Sequence, residues 1–137
     1  MAKAVIRGIN LNYEIKGDRG RSVILLHGWG QNMAMMDYIA TFLSRHFVVY
    51  NMDLPGFGES GEPDRAWSVD DYVEFLHDFV NHFNIESPIL IGHSFGCRIA
   101  LYYAYKYDVF KMCLTGAAGV KPKRGIRYYV SVYSYKL

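Results

Sequence analysis

Hydrophobic and polar residues alternate near the N-terminus of the chain, before the pattern changes to unbroken apolar runs. Leu11, Tyr13 and Ile15 are separated by polar residues, and a shorter apolar stretch precedes them across Gly8. Alternation with a period of two predicts strands with one solvated face, and glycine favours the turn between them. The sequence therefore predicts an N-terminal hairpin made of strands one and two.

Four short apolar runs follow the hairpin. A continuous apolar run of this length is typical of a strand that is buried on both faces of a parallel sheet. The runs predict strands three to six, so the predicted sheet has about six strands. They occupy residues 23–26, 47–50, 88–91 and 110–115.

Residues with helical periodicity separate most of these runs. A second helix is predicted to begin at Ser68 with a capping box, and a third to follow Gly96. Strands that alternate with helices indicate an α/β fold, with a mostly parallel sheet, helices on both faces and right-handed crossovers. The first helix is predicted over residues 32–44, where the apolar residues Met35, Ile39, Phe42 and Leu43 recur at helical spacing.

Composition argues against several classes of partner. The net charge is +2 and the basic residues are dispersed along the chain, which argues against nucleic acid binding. No apolar run is long enough to span a bilayer, and the N-terminus lacks a signal-peptide pattern, so we expect no membrane partner and a cytoplasmic location. Cys97 and Cys113 lie in apolar stretches, where buried thiols are expected rather than a disulfide.

Cofactor motifs are absent from the sequence. It contains no dinucleotide-binding G-x-G-x-x-G after a strand, no Walker-type phosphate loop and no clustered metal ligands. We therefore expect neither a cofactor nor a bound metal. The aromatic content of 16% is better explained by packing than by stacking on single-stranded nucleic acid.

The string Gly92-His93-Ser94-Phe95-Gly96 lies between a predicted buried strand and a predicted helix. A serine hydroxyl is a weak nucleophile unless it is exposed, next to a base and next to donors that receive negative charge. The two glycines carry no side chain that would block a sharp strand-to-helix turn, so this turn can hold the serine exposed. The sequence therefore predicts Ser94 as a nucleophile.

In this motif the sequence resembles the α/β-hydrolase fold family, in which G-x-S-x-G forms the nucleophile turn. The string His27-Gly28-Trp29-Gly30, which follows the third strand, is similar to the family's loop that contributes to the oxyanion hole. The resemblance implies that the backbone N–H groups of Trp29 and Phe95 stabilise the oxyanion. It implies a supporting role for His27, Gly28, Gly30, Gly92, His93 and Gly96.

A third string, from Asp53 to Ser60, resembles the family loop that follows the fourth strand. The resemblance implies a structural role for Asp53, since the acid of the family triad follows the nucleophile in the chain. Serine at position 94 argues against the dehalogenase and epoxide-hydrolase relatives, which carry aspartate there. None of the five histidines occupies the place of the family base, because all lie at or before the nucleophile motif: His27, His46, His77, His82 and His93. Of these, His93 is predicted to be buried, and His77 and His82 to be solvated.

The resemblance also predicts parts that this chain lacks. The family acid follows the seventh strand and the family histidine follows the eighth, whereas six strands are predicted here. We therefore expect an N-terminal half of the fold, truncated before the last two strands, in which the triad acid and histidine are not present. Residues 1–119 are predicted to form the core and residues 120–137 the start of an incomplete lid.

The resemblance implies hydrolysis of carboxylic esters or related small acyl compounds through an acyl-Ser94 intermediate, with the isolated chain catalytically incomplete. Thioesterases, lactonases, C–C bond hydrolases and perhydrolases share the same nucleophile turn, so the subclass stays open. Two alternatives also stay open: a non-catalytic truncated fragment, and one half of a split hydrolase completed by a second polypeptide. An uncovered sixth strand predicts a homo-oligomer or strand exchange through the exposed sheet edge.

Overall fold

The computed structural model describes residues 1–116, which form one sheet flanked by helices. Its strands are β1 (Ala2–Ile6), β2 (Ile9–Lys16), β3 (Ser22–Leu26), β4 (Val48–Met52), β5 (Ile89–His93) and β6 (Lys111–Thr115). A 3₁₀ turn at Met33–Met36 precedes the first helix. The helices are α1 (Asp37–Leu43), α2 (Val69–His82) and α3 (Phe95–Lys106).

The six strands are arranged in the order β1-β2-β4-β3-β5-β6. β1 and β2 form the predicted antiparallel hairpin, and β2 also pairs antiparallel with β4. The other three pairs, β3 with β4, β3 with β5, and β5 with β6, are parallel. The predicted α/β class with a mostly parallel sheet is therefore confirmed.

Helices cover both faces of this sheet, as the sequence predicts. Successive residues of a strand point to opposite faces. On β3, Ile24 and Leu26 belong to the large core cluster that includes residues of α2 and α3. Val23 and Leu25 belong to a smaller cluster on the other face, together with Ala40 of α1.

The capping box predicted for the second helix is present at the start of α2. The Ser68 hydroxyl accepts a hydrogen bond from the Asp71 N–H at 3.3 Å, and the Asp71 carboxylate accepts one from the Ser68 N–H at 2.8 Å. These two bonds satisfy donors that the first helical turn leaves without partners. One face of α2 is buried in the core, and it includes Val73, Leu76 and Val80.

The apolar residues at helical spacing in the first helix are not those that it buries most deeply. Met35 and Phe42 are 61% and 59% exposed, whereas Met36 and Ala40 are buried. The segment begins as a 3₁₀ turn, which has three residues per turn rather than 3.6, so one helical period does not describe the whole segment. The hairpin differs similarly, because Asn12 on its supposedly solvated face is buried.

The predicted lid start, residues 120–137, lies outside the described residues, so its boundary at residue 119 stays a prediction. The longest described helix, α2, has 14 residues. A membrane span needs about 20 apolar residues. Over residues 1–116, no helix is long and apolar enough to cross a bilayer.

Candidate active site

The candidate site lies at the carboxyl ends of β3 and β5, which are neighbours in the sheet. Leu26 at the end of β3 pairs with Gly92 of β5. The chain leaves β3 towards β4 on one side and leaves β5 towards β6 on the other side. Such a reversal of strand order opens a crevice between the two loops, where α/β sheets bind their ligands.

Ser94 occupies the sharp turn between β5 and α3. Its backbone has φ +53° and ψ −113°, a left-handed conformation that is strained for a residue with a side chain. A Cβ added at Gly96 would lie 2.0 Å from the Leu26 carbonyl oxygen, and one added at Gly92 would lie 2.6 Å from the Gly96 carbonyl oxygen. Both glycines are therefore required for the close packing of this turn.

The Ser94 hydroxyl is not used to hold the turn together. Although Ser94 precedes α3, its side chain makes no capping hydrogen bond. The Ser94 backbone N–H instead donates to the Thr115 carbonyl at 3.0 Å, and the Ser94 carbonyl accepts from the Cys97 N–H at 3.0 Å. Backbone contacts thus position the residue and leave the hydroxyl oxygen available for chemistry.

The loop that follows β3 lies directly against Ser94. A Cβ added at Gly28 would lie 3.2 Å from Ser94 Cβ, and the Trp29 and Phe95 rings meet edge to face at 5.1 Å. Across residues 1–116, the backbone N–H groups of Trp29 and Phe95 donate to no protein acceptor. The structure therefore brings the two sequence motifs together and leaves both of these N–H groups without an acceptor among the described residues.

Gln31 fixes this loop and was not identified from the sequence. Its side-chain Oε1 accepts a hydrogen bond from the Gly28 N–H at 3.0 Å. The backbone N–H of Gln31 donates to the Gly28 carbonyl at 3.1 Å. A single glutamine after a glycine-rich string gives no distinctive sequence signal. Its contacts hold the loop in a fixed conformation before any charge develops on a substrate.

His27 is buried beneath the loop and is neutral. Its Nε2 accepts a hydrogen bond from the Leu54 N–H at 3.0 Å, so the ring proton lies on Nδ1, which donates to the Gly28 carbonyl at 2.7 Å. Burial lowers the pKa of this imidazole below its ordinary value. His27 thus connects the loop after β3 to the loop after β4, which agrees with the supporting role predicted for it.

The contacts of Asp53 are those of a structural residue. Its buried carboxylate accepts hydrogen bonds from the Met33 N–H at 2.7 Å, the Glu59 N–H at 2.9 Å and Asn12 Nδ2 at 2.9 Å. A Cβ added at Gly58 would lie 2.3 Å from the carboxyl carbon. The carboxylate therefore organises the loop after β4, and Asn12 is a partner that the sequence did not indicate.

Two histidines differ from their predicted surroundings. His93 is half-buried rather than buried, because it lies at the end of β5, and its Nδ1 is 2.9 Å from Thr115 Oγ1. His77 is half-buried rather than solvated, because its ring stacks on Tyr107 at 3.8 Å. Within residues 1–116, no histidine forms a hydrogen bond with the Ser94 hydroxyl.

A pocket of about 570 Å³ opens beside Ser94. Aromatic side chains of Trp29, Trp67 and Phe95 form its apolar wall, and Arg98 lines it one helical turn after the serine. Trp67 and Arg98 have no motif of their own, so the sequence did not identify them as site residues. An apolar pocket with a hydroxyl and a few polar groups has the composition of a small-molecule site.

Comparison with known proteins places this geometry in a family. The sequence matches the profile of the alpha/beta hydrolase fold over residues 21–117. It is 32% identical over 112 residues to a pimeloyl-[acyl-carrier protein] methyl ester esterase of Vibrio cholerae, a match that covers 81% of this chain and 42% of that protein. It is 30% identical over 103 residues to a soluble epoxide hydrolase of a Corynebacterium species, covering 75% of this chain and 36% of that protein.

A solved structure agrees with these sequence matches. A meta-cleavage product hydrolase from Pseudomonas fluorescens superimposes with a TM-score of 0.83 at 29% identity, over 90% of this chain and 47% of that one. The chain thus spans less than half of the length of each of these three proteins. The profile match and the shared fold show that the chain belongs to the α/β-hydrolase fold family and is a hydrolase by family.

Proposed function

We propose that the protein is a serine hydrolase that acts on carboxylic esters or related small acyl compounds through an acyl-Ser94 intermediate. The observation that carries this proposal is the strained left-handed backbone of Ser94, which holds an uncommitted hydroxyl against the Gly28 loop. Backbone strain of this kind persists where the surrounding structure enforces it, and it is concentrated at functional sites.

In the proposed reaction the Ser94 oxygen attacks the carbonyl carbon of the substrate, and a general base takes the hydroxyl proton. Negative charge then develops on the carbonyl oxygen, which accepts hydrogen bonds from the N–H groups of Trp29 and Phe95. Collapse of this intermediate expels the alcohol or other leaving group and leaves an acyl-serine. Water then attacks the acyl carbon, which releases the acid and restores the serine.

The base and acid of this mechanism are proposed to come from polypeptide beyond the described residues. The only imidazole next to the nucleophile in sequence, that of His93, is held at Thr115. Removal of the base from a serine triad leaves a residual acceleration of about 10³ to 10⁴ over water, from binding and the oxyanion hole. We therefore propose that this chain alone is catalytically incomplete.

The names of relatives support hydrolysis without selecting one subclass. The Vibrio relative is named a methyl ester esterase, the Corynebacterium relative an epoxide hydrolase, and the Pseudomonas structure a meta-cleavage product hydrolase. The family resemblance implies an aspartate nucleophile in epoxide hydrolases, whereas this chain carries serine at position 94. Serine at position 94 therefore favours a reaction with esters or related acyl compounds.

A fluorophosphonate probe with added imidazole tests the proposal. Attack by the Ser94 oxygen forms an O–P bond, expels fluoride and passes the serine proton to a base, a role that imidazole can fill from solution. We expect imidazole-dependent labelling of Ser94, detected by mass spectrometry. Ser94→Ala and heat-denatured protein are the controls, and neither should be labelled at this peptide.

Each outcome of this labelling has a distinct meaning. No labelling of the folded protein with imidazole would overturn Ser94 as nucleophile and favour a non-catalytic fragment. Rapid labelling without imidazole would instead contradict the proposed incompleteness, because a base would have to reach Ser94 within this chain. Labelling that requires a second polypeptide rather than imidazole would favour a split hydrolase.

We also propose that the chain associates with itself through the edge of β6. Among the described strands β6 pairs with β5 alone, and exposed strand edges promote pairing with another chain. Sedimentation velocity over a wide range of protein concentrations tests this proposal. We expect a mass that rises with concentration, whereas a constant monomer mass would contradict the association.

A cytoplasmic location is proposed on the state of Cys97. Its Sγ donates hydrogen bonds to the Gly92 and Thr115 carbonyls at 3.3 and 3.2 Å, and burial raises the pKa of this thiol to about 11, which keeps it protonated and unreactive. Reduced thiols are typical of cytosolic proteins. Fractionation of cells that express the protein tests this proposal, and recovery in a membrane or secreted fraction would contradict it.

A further inference from the structure

Arg98 is the one formally charged residue among the described residues that line the pocket beside Ser94. It lies in the first turn of α3, directly after the turn that holds Ser94. Helical side chains lean towards the N-terminus of their helix, and Ser94 lies at that end of α3. Within residues 1–116, the formal charge at this pocket is therefore positive.

Arg98 has no polar partner among residues 1–116. Its Nε atom is buried without a hydrogen bond, and Arg98 forms no ion pair with any carboxylate of these residues. The residue as a whole is half-buried and lines the pocket, so the rest of its guanidinium can meet a ligand there. Pairing stabilises a partly buried charge, since burial removes part of its hydration. The carboxylate of Asp71, near the pocket at the start of α2, is already bound by Arg65 at 2.9 and 3.0 Å.

Residues 117–137 contain no aspartate and no glutamate, so this stretch of sequence holds no carboxylate side chain that could pair with Arg98. The basic residues of this stretch are Lys121, Lys123, Arg124, Arg127 and Lys136.

We propose that Arg98 binds a carboxylate group carried by the substrate, so that the preferred substrates are acyl compounds with a negative charge next to an apolar part. This inference rests on the proposed function, because it assigns the substrate class of the same pocket. The planar guanidinium matches a carboxylate with two parallel N–H···O bonds. Trp29, Trp67 and Phe95 contact the hydrocarbon or aromatic portion of the substrate, and Ser94 attacks its acyl carbon.

Ligand binding tests the inference without requiring turnover. The sequence has two tryptophans, Trp29 and Trp67, and both line the pocket, so their fluorescence reports a ligand there. The probes are 3-phenylpropionate and its uncharged analogue 3-phenylpropionamide, which have nearly the same shape. We expect the carboxylate to bind at least about tenfold more tightly than the amide, because its hydrogen bonds are charge-assisted.

Substitutions of Arg98 identify the source of this preference. We expect Arg98→Gln to remove the preference for the carboxylate, and Arg98→Lys to keep part of it, because lysine retains the charge but not the planar donors. Arg19→Gln is the matched control, since it removes the same charge from an exposed turn that precedes β3. The preference in wild-type protein should also decrease at high salt, which weakens partly exposed ion pairs.

Equal binding of the two probes by wild-type protein would overturn the inference, as would a preference that survives in Arg98→Gln. If Arg98→Gln fails to fold by circular dichroism, the Arg98→Lys variant and the salt dependence decide. Ser94→Ala should keep the carboxylate preference, so a failure of the proposed function can be distinguished from a failure of the role of Arg98. Loss of probe labelling at Ser94 with the preference intact would overturn the proposed function alone, and the reverse result would overturn the role of Arg98 alone.

Discussion

The two faces of the sheet differ in how completely helices cover them. On one face α2 and α3, of 14 and 12 residues, pack side by side over the strands. Phe75, Phe79, Leu90 and Ile99 are fully buried there. On the other face α1 has seven residues and covers a small cluster around Val23.

The second face consequently has an apolar groove of about 430 Å³ beside α1. Half-buried Ile89 and Ile91 of β5 form its floor, and Phe110 lines its far side. On α1 itself, Tyr38 and Phe42 are exposed next to this groove. Parallel sheets are normally covered on both faces, whereas among residues 1–116 α1 is the only helix beside this groove.

We call the face under α2 and α3 the covered face and the face beside α1 the open face. The candidate site depends on the covered face. Ser94 is held by the junction of β5 and α3, and α3 packs into the large core cluster. The pocket wall continues into the same core, since the Tyr72 ring meets Phe95 at 5.4 Å. Changes to the covered face should therefore affect both folding and the site, whereas changes to the open face should affect mainly surface properties.

The largest expected effect tests this difference directly. Phe79→Ala on the covered face should lower the free energy of unfolding by about 3–5 kcal/mol, because it removes a fully buried ring. Phe42→Ala, the matched change on the open face, should lower it by less than about 1 kcal/mol, since Phe42 is 59% exposed. Urea denaturation measures both values, and equal losses would remove the distinction between the faces.

A glycine substitution tests the connection between the covered face and the site. Gly96→Ala should lower the free energy of unfolding by about 1–3 kcal/mol, because the new Cβ would meet the Leu26 carbonyl oxygen. It should also abolish imidazole-dependent labelling of Ser94. Gly8→Ala is the control, since a Cβ at Gly8 meets no atom within 4 Å and only the φ of +75° disfavours alanine there, whereas the cost at Gly96 comes from the contact. Its labelling should match that of the unsubstituted chain.

The open face should bind apolar dyes. Phe42→Glu should reduce the fluorescence of 8-anilinonaphthalene-1-sulfonate while changing the free energy of unfolding by no more than about 0.5 kcal/mol. Tyr105→Glu, at an 88% exposed position on α3 away from the groove, adds the same charge and serves as the control. An equal decrease of dye fluorescence in both variants would show that charge rather than the groove controls dye binding.

The smallest effect is expected at the start of α2. Hydrogen bonds from Arg65, and then from Ser68, lower the pKa of Asp71 from 3.8 to about 2. A carboxyl group with a lower pKa in the folded state stabilises that state above its unfolded pKa and loses this contribution as the pH falls. Stability relative to Asp71→Asn should therefore be constant above about pH 4 and decrease towards pH 2, as measured by urea denaturation. A difference that does not change with pH would contradict this assignment.

The parts of the fold that were predicted well are those with local signals. The strand from Val23 to Leu26 is a continuous apolar run. Ser68 is a capping residue, and an acidic residue, Asp71, follows it at the spacing of a capping box. The first helix lies in the predicted segment, but the residues that it buries are Met36 and Ala40, which are not among the apolar residues at helical spacing. The reason is that burial of Met36 and Ala40 depends on which part of the sheet the helix covers, and no local spacing encodes that choice.

The motifs of the candidate site are local signals as well. Ser94 and its neighbouring glycines form a motif within one stretch of chain, and so does the loop from His27 to Gly30. Arg98 and Gln31 carry no such signal, because arginine in a helix and glutamine in a loop are usually solvated. Their contacts became visible only when the two strand ends were brought together.

The sequence by itself determined the order of the elements and the position of the turn at Ser94, because both depend on residues close together in the chain. The tertiary structure decided which side chains surround that turn. The Asn12–Asp53 hydrogen bond and the contact between Gly28 and Ser94 join residues at least 41 positions apart. Such contacts depend on the sheet order β4-β3-β5, which places the ends of β3 and β5 side by side.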